Sequence, residues 1–535
     1  MSRRRKFWGW GYEDEDLGAD ERSALAVILA GRFGVSSLPL SEPPTLAEVE
    51  LRAPRIKPPS SLEHLCSDSK EERASHTYGK SFRDVVRAYR RDFSNPPDVI
   101  AVPNDEEDVR RLLDWCSEAG LAAIPYGGGS SVVGGVEPPP PDAFPGVVTI
   151  DLRSLNKVLE VDRASRAARI QGGTLGPDLE AQLRPHGYTL RHFPQSFELS
   201  TLGGWIATRS GGHFATLHTH IDDFVEAVRV VTPAGLVKTR RLPGSGAGPQ
   251  PERLFLGSEG SLGIITEAWM RLQDRPTFRA NLAASFATFE EAVAACRAVS
   301  QSGLNPSNCR LLDPLEALYN GAGDGSRALL LIAFESADHP LDAWIARAAE
   351  LCRDNHGLVP EEVETRAGAE GAREGSAGAW RDAFIKMPYR RDAVAGMGVI
   401  TETFETACTW EAFERFHAAV TGAVRGALES IGAPGGWVST RFTHVYPDGP
   451  APYYSVMAPG TPGQEIEQWQ VIKAAAAGAI IREGGTITHH HAVGRDHMPW
   501  YEQEKAPLFD AALRAAKTAL DPRGVMNPGV IVQLT

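Results

Sequence analysis

Three consecutive histidines near the C-terminus are the side chains of this chain best suited to proton transfer. His489, His490 and His491 follow a Gly-Gly pair and a segment that we expect to be a strand, and imidazole titrates near neutral pH. Far upstream, the run Pro-Tyr-Gly-Gly-Gly-Ser-Ser at 125–131 offers backbone amides and hydroxyls that suit a phosphate group. Together the two motifs indicate an enzyme that combines a dinucleotide cradle with acid/base chemistry.

The glycine run is expected at the end of a strand–helix–strand unit. Residues 99–102 are apolar and favour a strand. Acidic residues at 105–108 suit the first turn of a helix, and apolar residues at 109, 112, 113 and 116 repeat with the helical period. Residues 122–125 form the next expected strand. This order predicts a domain that opens near residue 96 and continues to about residue 272.

Further elements follow from the same patterns. We expect strands at 147–152, 168–171 and 225–232, with a turn at 233–235, and loops at 367–379 and 459–463. In an extended segment alternate side chains point in opposite directions. His490 is therefore predicted to face one side of its segment, with His489 and His491 on the other.

The glycine run taken alone has two interpretations. It is not a Walker loop, because no Gly-Lys-Ser/Thr follows, and it is not a Gly-x-Gly-x-x-Gly that opens a helix. A plain glycine-rich turn therefore stays open. Two more Gly/Ser-rich segments, at 198–212 and 257–267, favour cofactor binding, since three such turns in one domain are more than folding requires.

Composition narrows the class of protein. The 535 residues are too many for one ordinary core, so we expect at least two domains. The net charge of −13 disfavours a nucleic-acid-binding protein, and we interpret the basic run at 3–6 as a solvated tail. Six scattered cysteines without a Cys-x-x-Cys pair predict neither disulfides nor structural zinc. No membrane span, secretion signal or peroxisomal ending is recognisable, which predicts a cytoplasmic protein.

The order of the three glycine-rich segments resembles the FAD domain shared by the vanillyl-alcohol oxidase and D-lactate dehydrogenase enzymes. The resemblance implies that the first segment wraps the FAD pyrophosphate and that the other two flank the pyrophosphate, ribose and isoalloxazine. Because the first segment contains neither His nor Cys, we expect non-covalent FAD. The residues implied to bind FAD are Pro125, Gly127, Gly128, Gly129, Ser130, Ser131, Pro194, Ser200, Thr201, Gly203, Gly204, Thr208, Glu259, Gly260, Gly263, Ile264 and Ile265.

Nearly the whole chain resembles the alkyldihydroxyacetonephosphate synthase family. The matching motifs are Lys-Phe-Trp-Gly-Trp-Gly-Tyr at 6–12, Arg-Leu-Leu-Asp at 310–313, Tyr-Arg-Arg-Asp at 389–392, Glu-Thr-Phe-Glu-Thr at 402–406 and the histidine trio. The family has a catalytic tyrosine some three dozen residues before that trio, and Tyr453 lies at the matching place. The resemblance implies catalytic roles for Tyr453, His489, His490, His491 and Arg391.

Each of these residues also has an ordinary interpretation. Arg310 and Arg391 are suited to bind a substrate phosphate, but they could equally be surface ion-pair partners. Tyr453 could pack within a strand. The histidines could be surface residues or a metal site, although metal ligands usually converge from separate turns, so we expect no metal. The matched order of motifs favours the functional interpretation.

A related class, the D-2-hydroxyacid dehydrogenases, is the main alternative within this fold. Those enzymes carry His-Val-Gly-Asp-Gly-x-x-His and a later Glu-His-Gly, which bind a divalent metal and the hydroxy acid. Here the first segment, at 444–453, keeps one histidine, and a histidine replaces the glutamate of the second. Two of the three metal ligands are missing, which disfavours a dehydrogenase. Two alternatives remain: an FAD-linked oxidoreductase acting on a hydroxy acid or an alcohol, and a flavin-binding protein without catalysis.

The resemblance implies formation of an ether bond without net oxidation. Acyl-dihydroxyacetone phosphate and a fatty alcohol would give alkyl-dihydroxyacetone phosphate and a fatty acid, through an adduct at flavin N5. Two departures from the family concern the substrate: an alanine replaces the glycine after the trio, and the segment 212–220 replaces a basic stretch. Tyr453 and His490 would move protons, and Arg391 would hold an anionic group.

The expected fold is α+β, with a two-subdomain FAD-binding domain of the p-cresol methylhydroxylase type and an α+β cap domain built on an antiparallel sheet. We expect a wrapping segment at 1–92, the FAD domain at 93–276, the cap and substrate domain at 277–500 and a return to the FAD domain at 501–535. We also expect a homodimer that contacts membranes peripherally and binds no nucleic acid.

Overall fold

The computed structural model describes residues 3–214, 216–360, 363–367 and 387–534. Over these residues the chain forms three large sheets, with helices packed on them. The α+β class predicted from the sequence is confirmed.

The first sheet contains the strand–helix–strand unit that leads to the glycine run. It has the order β1-β2-β4-β3, and β4 pairs in parallel with both β2 and β3. Helix Glu106–Ala119 makes the crossover, and the Asp105 side chain caps it by accepting the Asp108 amide at 2.9 Å. The glycine run therefore leaves the sheet at the carboxyl end of β3. The strands are β1 (Cys66–Ser67), β2 (Val99–Ala101), β3 (Ala122–Tyr126) and β4 (Val147–Asp151).

The second sheet is antiparallel throughout, in the order β5-β6-β10-β8-β9. A small separate ribbon pairs β7 with β11. The strands are β5 (Val158–Asp162), β6 (Ala167–Gln171), β7 (Tyr188–Thr189), β8 (Val225–Thr232), β9 (Gly235–Lys238), β10 (Ile264–Arg271) and β11 (Gln273–Asp274).

The third sheet has seven antiparallel strands in the order β15-β12-β14-β13-β17-β18-β16. It confirms the antiparallel sheet expected in the C-terminal half. The strands are β12 (Phe278–Phe286), β13 (Asn308–Leu312), β14 (Ala328–Ser336), β15 (Glu364–Ala367), β16 (Val399–Glu405), β17 (Trp437–Val445) and β18 (Pro450–Pro459).

The register of this sheet aligns the side chains of a candidate site. Tyr453 on β18 lies opposite Arg441 on β17 and opposite Glu405 on β16. Leu312 on β13 also lies opposite Arg441, so Arg310, two residues earlier, shares that face. Because directly opposed residues point to the same side of a sheet, these polar side chains form one row across four strands.

The α-helices cover the sheets. Helix Glu106–Ala119 buries Val109, Leu112, Leu113 and Cys116 completely, as the apolar period predicts. The helices with described bounds are Ala19–Phe33, Lys70–Ser75, Phe82–Tyr89, Glu106–Ala119, Gly176–Leu183, Leu202–Thr208, Phe289–Gln301, Pro314–Tyr319, Asp342–Asp354, Phe413–Ser430, Glu465–Arg482, Met498–Glu504 and Pro507–Leu520. None of them is both long and apolar enough to cross a membrane.

The N-terminal segment packs on the seven-stranded sheet. Trp8 joins one buried cluster with Phe404 of β16, Tyr454 of β18 and Trp469 of helix Glu465–Arg482. The backbone amide of Trp10 donates to the buried carboxylate of Asp392 at 2.5 Å. The segment is thus part of the core, and the prediction of a solvated tail at 3–6 is wrong for Lys6, whose side chain is buried.

Most of the local predictions are confirmed, but the strand expected before the histidine trio is not. The strands at 99–102, 122–125, 147–152, 168–171 and 225–232 are present within a residue or two of their predicted bounds. No strand precedes the histidine trio: helix Glu465–Arg482 leads into an irregular loop that carries it. Residues 460–463 form the expected loop, and the loop predicted at 367–379 lies outside the described residues beyond Ala367. All six cysteines are free thiols.

Candidate active site

A cavity of about 1660 Å³, including its open mouth, lies between the glycine-rich loops and the polar face of the seven-stranded sheet. All the residues that the resemblance implies for FAD line it. They are Pro125, Gly127, Gly128, Gly129, Ser130, Ser131, Pro194, Ser200, Thr201, Gly203, Gly204, Thr208, Glu259, Gly260, Gly263, Ile264 and Ile265. Tyr453, His490, His491, Arg310 and Arg391 line the same cavity, whereas His489 does not.

The first glycine loop has the free donors that a pyrophosphate requires. In the described parts of the chain, the amides of Gly128, Gly129 and Ser130 have no protein acceptor. A Cβ on Gly128 would lie 1.7 Å from the carbonyl oxygen of Leu199, so glycine is needed here for the close approach of two loops. Gly129 has a φ of +67°, which favours glycine for conformational reasons. These features fit a bound dinucleotide such as FAD.

Glu259 connects the third glycine loop to the histidine loop. Its carboxylate accepts the amides of Val493 at 2.7 Å and Gly494 at 2.8 Å. Burial raises the pKa of Glu259 to about 7, although the two amide hydrogen bonds oppose the shift. The residue therefore fixes the end of the histidine loop against the cofactor wall.

Glu405 holds the other end of the histidine loop. Its fully buried carboxylate accepts the backbone amides of His489, His490 and His491, at 3.1 Å for His490 and 2.7 Å for His491. It also accepts the Thr488 hydroxyl at 2.7 Å. Successive amides that converge on one carboxylate require a turn. The predicted alternation of the three side chains is therefore wrong: His490 and His491 share the cofactor cavity, and His489 lines a second cavity.

The protonation states of the cavity residues suit acid/base work. Burial lowers the pKa of His490 well below its usual range, and His491 and His489 act in the same direction. Burial also lowers the pKa of His491, against the opposing effect of Glu405. The pKa of Tyr453 is raised by burial, although Arg441 and Thr403 oppose the shift. At neutral pH the cavity thus contains a protonated phenol and neutral imidazoles.

Tyr453 faces the cavity rather than serving as ordinary strand packing. The guanidinium carbon of Arg441 lies 3.8 Å from the centroid of its ring. The rings of His490 and His491 lie at centroid distances of 6.2 and 5.4 Å. Tyr454, its neighbour, points to the other side of β18, where its hydroxyl contacts Nδ1 of His417 at 3.2 Å.

Three arginines line the cavity, Arg310 and Arg441 from the seven-stranded sheet and Arg391 from the helical stretch before β16. Arg310 is buried, not on the surface, and one of its terminal nitrogens donates to Nδ1 of His213 at 3.1 Å. Arg391 donates to the carbonyl oxygen of Lys80, and its buried Nε has no acceptor within the described residues. Arg441 forms a buried ion pair with Glu316. Guanidinium groups that line a cavity suit a bound phosphate or carboxylate.

The sequence reasoning missed several residues of this site. Arg441 and His444 belong to β17 and line the cavity, and Trp10 of the N-terminal segment does the same. The charge of Arg441 in the middle of a buried strand is the pattern that could have identified it. Glu405 belongs to a motif that the sequence analysis names, but the sequence indicates no role for it. Its hydrogen bonds to the histidine loop join residues more than 80 positions apart, and no local pattern indicates them.

Comparisons with known proteins agree with this architecture. A family model described as "FAD binding domain" matches residues 97–240, and one described as "FAD linked oxidases, C-terminal domain" matches residues 275–531. A solved p-cresol methylhydroxylase has the same fold, with a TM-score of 0.67 over 88% of this chain and 94% of that chain at 15% identity. The fold and the cavity therefore define an FAD-dependent enzyme of the FAD-linked oxidase fold.

Closer relatives specify the family. Alkyldihydroxyacetonephosphate synthase of Dictyostelium discoideum is 31% identical over 479 residues, which cover 87% of this chain and 78% of the relative. A solved alkyldihydroxyacetonephosphate synthase superposes with a TM-score of 0.77 at 27% identity and covers 98% of both chains. This chain belongs to the alkyldihydroxyacetonephosphate synthase family.

Proposed function

We propose that this chain forms the ether bond of an ether lipid by exchanging the acyl group of acyl-dihydroxyacetone phosphate for a long-chain alcohol. The observation that carries the proposal is the joint lining of one cavity. A phenol at Tyr453, imidazoles at His490 and His491 and the three arginines face the loops that fit FAD. The family relatives are named for this product.

The exchange requires one bond to break and one to form at the same carbon. The bond between C1 of the three-carbon phosphate ketone and its ester oxygen breaks, and the fatty acid leaves as a carboxylate with both oxygens. The alcohol oxygen then bonds to C1, and its proton passes to a base. No electrons are gained or lost overall. Bound FAD supplies the nucleophile that such a displacement uses.

The residues of this chain divide the remaining tasks. Neutral His490 is suited to accept the alcohol proton, and protonated Tyr453 is suited to donate a proton or a hydrogen bond to a reacting oxygen. Arg391 has an unused buried donor for an anionic group, and Arg310 supports a substrate phosphate from the sheet side. His489, outside the cavity, would act through its neighbours.

We also propose the division of the chain that the resemblance implies. Residues 93–276 would hold FAD and 277–500 would hold the substrates and the acid/base residues, while 1–92 wrap the body and 501–535 return to the FAD domain. Because residues 125–131 offer neither His nor Cys, FAD would be non-covalent.

The experiment supplies purified, FAD-loaded protein with palmitoyl-dihydroxyacetone phosphate and deuterated hexadecanol and analyses the lipids by mass spectrometry. We expect a deuterated alkyl ether and one equivalent of palmitate. A protein that makes no ether but whose flavin is bleached by a D-2-hydroxy acid or an alcohol would be an oxidoreductase and would refute the proposal.

A further inference from the structure

We propose that His220 and His489 are positioning residues that set the tautomer of His490, so that Nε2 of His490 is the nitrogen that accepts a proton in the reaction. Three contacts join these imidazoles in a row that begins at the backbone carbonyl of Arg209. The inference rests on the role that the proposed function gives to His490 and deepens it. The tautomer itself can be measured whether or not an ether forms.

The carbonyl oxygen of Arg209 determines the first tautomer of this imidazole row. Nδ1 of His220 lies 2.9 Å from that oxygen. Because a carbonyl oxygen can only accept, Nδ1 of a neutral His220 carries the ring proton, and Nε2 is left as an acceptor. His220 is partly exposed, in the segment 212–220, and its Nε2 presents a lone pair to the histidine loop.

The acceptor on His220 sets the tautomer of His489 in turn. Nε2 of His489 lies 3.1 Å from Nε2 of His220, and one of two facing imidazole nitrogens must donate. Since Nε2 of His220 has no proton, Nε2 of His489 donates, and Nδ1 of His489 becomes an acceptor. The hydroxyl oxygen of Tyr446 lies 2.6 Å from the same Nε2 and 3.0 Å from the hydroxyl oxygen of Thr219. The phenol fits this arrangement, because it can accept from His489 and donate to Thr219.

The last contact sets the tautomer of His490. Nδ1 of His489 and Nδ1 of His490 are 3.0 Å apart, so an unprotonated Nδ1 on His489 requires a proton on Nδ1 of His490. Glu405 favours the same tautomer independently, because its Oε2 lies 3.6 Å from Nδ1 of His490 and a carboxylate attracts an N–H group. The lone pair of His490 is therefore on Nε2.

This tautomer is the one that the proposed reaction requires. Within the described residues, the hydrogen bonds of the His490 ring involve only Nδ1, and His490 lines the cofactor cavity. Nε2 is thus the nitrogen left for a substrate. When the O–H bond of the alcohol breaks, its proton passes to Nε2, and the resulting imidazolium still donates through Nδ1 to His489. The opposite tautomer would present an N–H group to the alcohol and could not accept its proton.

The experiment compares the parent with His220→Ala, His220→Gln and His218→Ala, all loaded with FAD and kept at a pH above the ordinary titration range of imidazole. ¹⁵N NMR of protein labelled in its histidines shows which ring nitrogen of His490 carries the proton, and His490→Gln assigns the signal. We expect the proton on Nδ1 in the parent. In His220→Ala the hydroxyl of Tyr446 is free to donate to Nε2 of His489, which should reverse the row and place the proton of His490 on Nε2.

The variants separate this role from a purely structural one. In His220→Ala, kcat for ether formation should fall at least about fivefold with a smaller change in KM, because only molecules with a free Nε2 on His490 can react. The glutamine oxygen of His220→Gln can accept where Nε2 did, so this variant should keep the parent tautomer and a kcat within a few-fold. His218→Ala is the control, an exposed histidine of the same segment whose ring lies 5.2 Å from that of Phe224, and it should behave like the parent.

Two results would overturn the proposal. One is a proton on Nε2 of His490 in the parent, and the other is the same tautomer of His490 in the parent and in His220→Ala. A parent that has the expected tautomer and loses it in His220→Ala, but makes no ether, would support the imidazole row and refute the proposed function. The two failures are therefore distinguishable.

Discussion

At the scale of single residues, Tyr453 is placed to take part in the reaction, whereas its neighbour Tyr454 contributes to packing. They are neighbours on β18, but only Tyr453 lines the cavity, and Tyr454 contacts His417 on the opposite side. We predict that Tyr453→Phe lowers the rate of ether formation by at least ~100-fold with FAD retained, because a positioned acid contributes about 10²–10⁴-fold. Tyr454→Phe should keep the rate within a few-fold. Rates measured with labelled alcohol test this, and equal losses in both variants would contradict it.

Ala492 holds a strained position that the histidine loop imposes. Its φ is +75°, in the region that favours glycine. A side chain in this region is strained by about 1–2 kcal/mol, and glycine would relieve that strain. The relief offsets the loss of the buried methyl group and the greater flexibility of glycine in the unfolded chain. We predict that Ala492→Gly leaves the free energy of unfolding within ~0.5 kcal/mol of the parent.

The matched control is Ala427→Gly in helix Phe413–Ser430, an alanine with nearly the same burial (6% against 7% exposed) but ordinary helical geometry. Its free energy of unfolding should fall by about 1–2 kcal/mol, because glycine is unfavourable inside a helix and a buried methyl group is lost. Denaturant unfolding with FAD present measures both. Equal losses in the two variants would show that position 492 is not strained.

Glu259 predicts a pH dependence of stability. Its pKa in the folded chain is about 7, against an ordinary value of 4.5. A raised pKa means that the folded state binds the proton more tightly. The contribution of Glu259 to the free energy of unfolding is therefore fully present below pH 4.5. It is lost as the pH rises through 7, at up to about 1.4 kcal/mol per pH unit. The free energy of unfolding of Glu259→Gln should lack this part of the pH dependence.

Urea midpoints at pH 5 and pH 7.5 measure the effect. The parent should lose more stability between these values than Glu259→Gln does, by roughly 1–3 kcal/mol. Glu118→Gln, at an exposed helix position, should behave like the parent. If Glu259→Gln and the parent have the same slope, the carboxyl group is not held in its buried, amide-bonded position.

At the scale of elements, the histidine loop takes its shape from a strand far away in sequence. Glu405 ends β16, and its carboxylate gathers the amides of His489, His490 and His491. A glutamine there offers one acceptor oxygen and a donor that would face the amides. We predict that Glu405→Gln lowers kcat at least ~10-fold with a smaller change in KM, and costs about 1–3 kcal/mol of stability.

Glu402→Gln is the matched control on the same strand. Its carboxylate is also buried, but it accepts Nζ of Lys473 at 2.9 Å and the indole N–H of Trp469 instead of the amides of the histidine loop. It should lose comparable stability while kcat stays within a few-fold of the parent. If both variants lose kcat together, Glu405 contributes only to stability.

The sequence predicts the elements better than the contacts between them. Helix 106–119 and the strands around it follow from local periodicity, and the motif order locates the cofactor loops. The sequence predicts an extended histidine segment, since nothing local shows that its amides bind Glu405. The approach of His444 to His490 and the stacking of Arg441 on Tyr453 depend on the register of β17 and β18, which a single sequence does not fix.

At the scale of the whole molecule, the site is assembled from distant parts of the chain. Trp10 from the N-terminal segment, the glycine loops of the first half and the row on the seven-stranded sheet all line one cavity. A buried carboxylate joins the histidine loop to each side, Glu259 on the cofactor wall and Glu405 on the sheet. The chemistry therefore requires that all three sheets be folded together.

The central claim is that the alcohol oxygen replaces the ester oxygen on the three-carbon phosphate ketone. The measurement is mass spectrometry of the products made by FAD-loaded protein from ¹⁸O-labelled hexadecanol and unlabelled palmitoyl-dihydroxyacetone phosphate. Our account predicts ¹⁸O in the ether product and none in the released palmitate. Label in a palmitoyl ester of hexadecanol, with no labelled ether, would show attack at the acyl carbonyl and would contradict the claim.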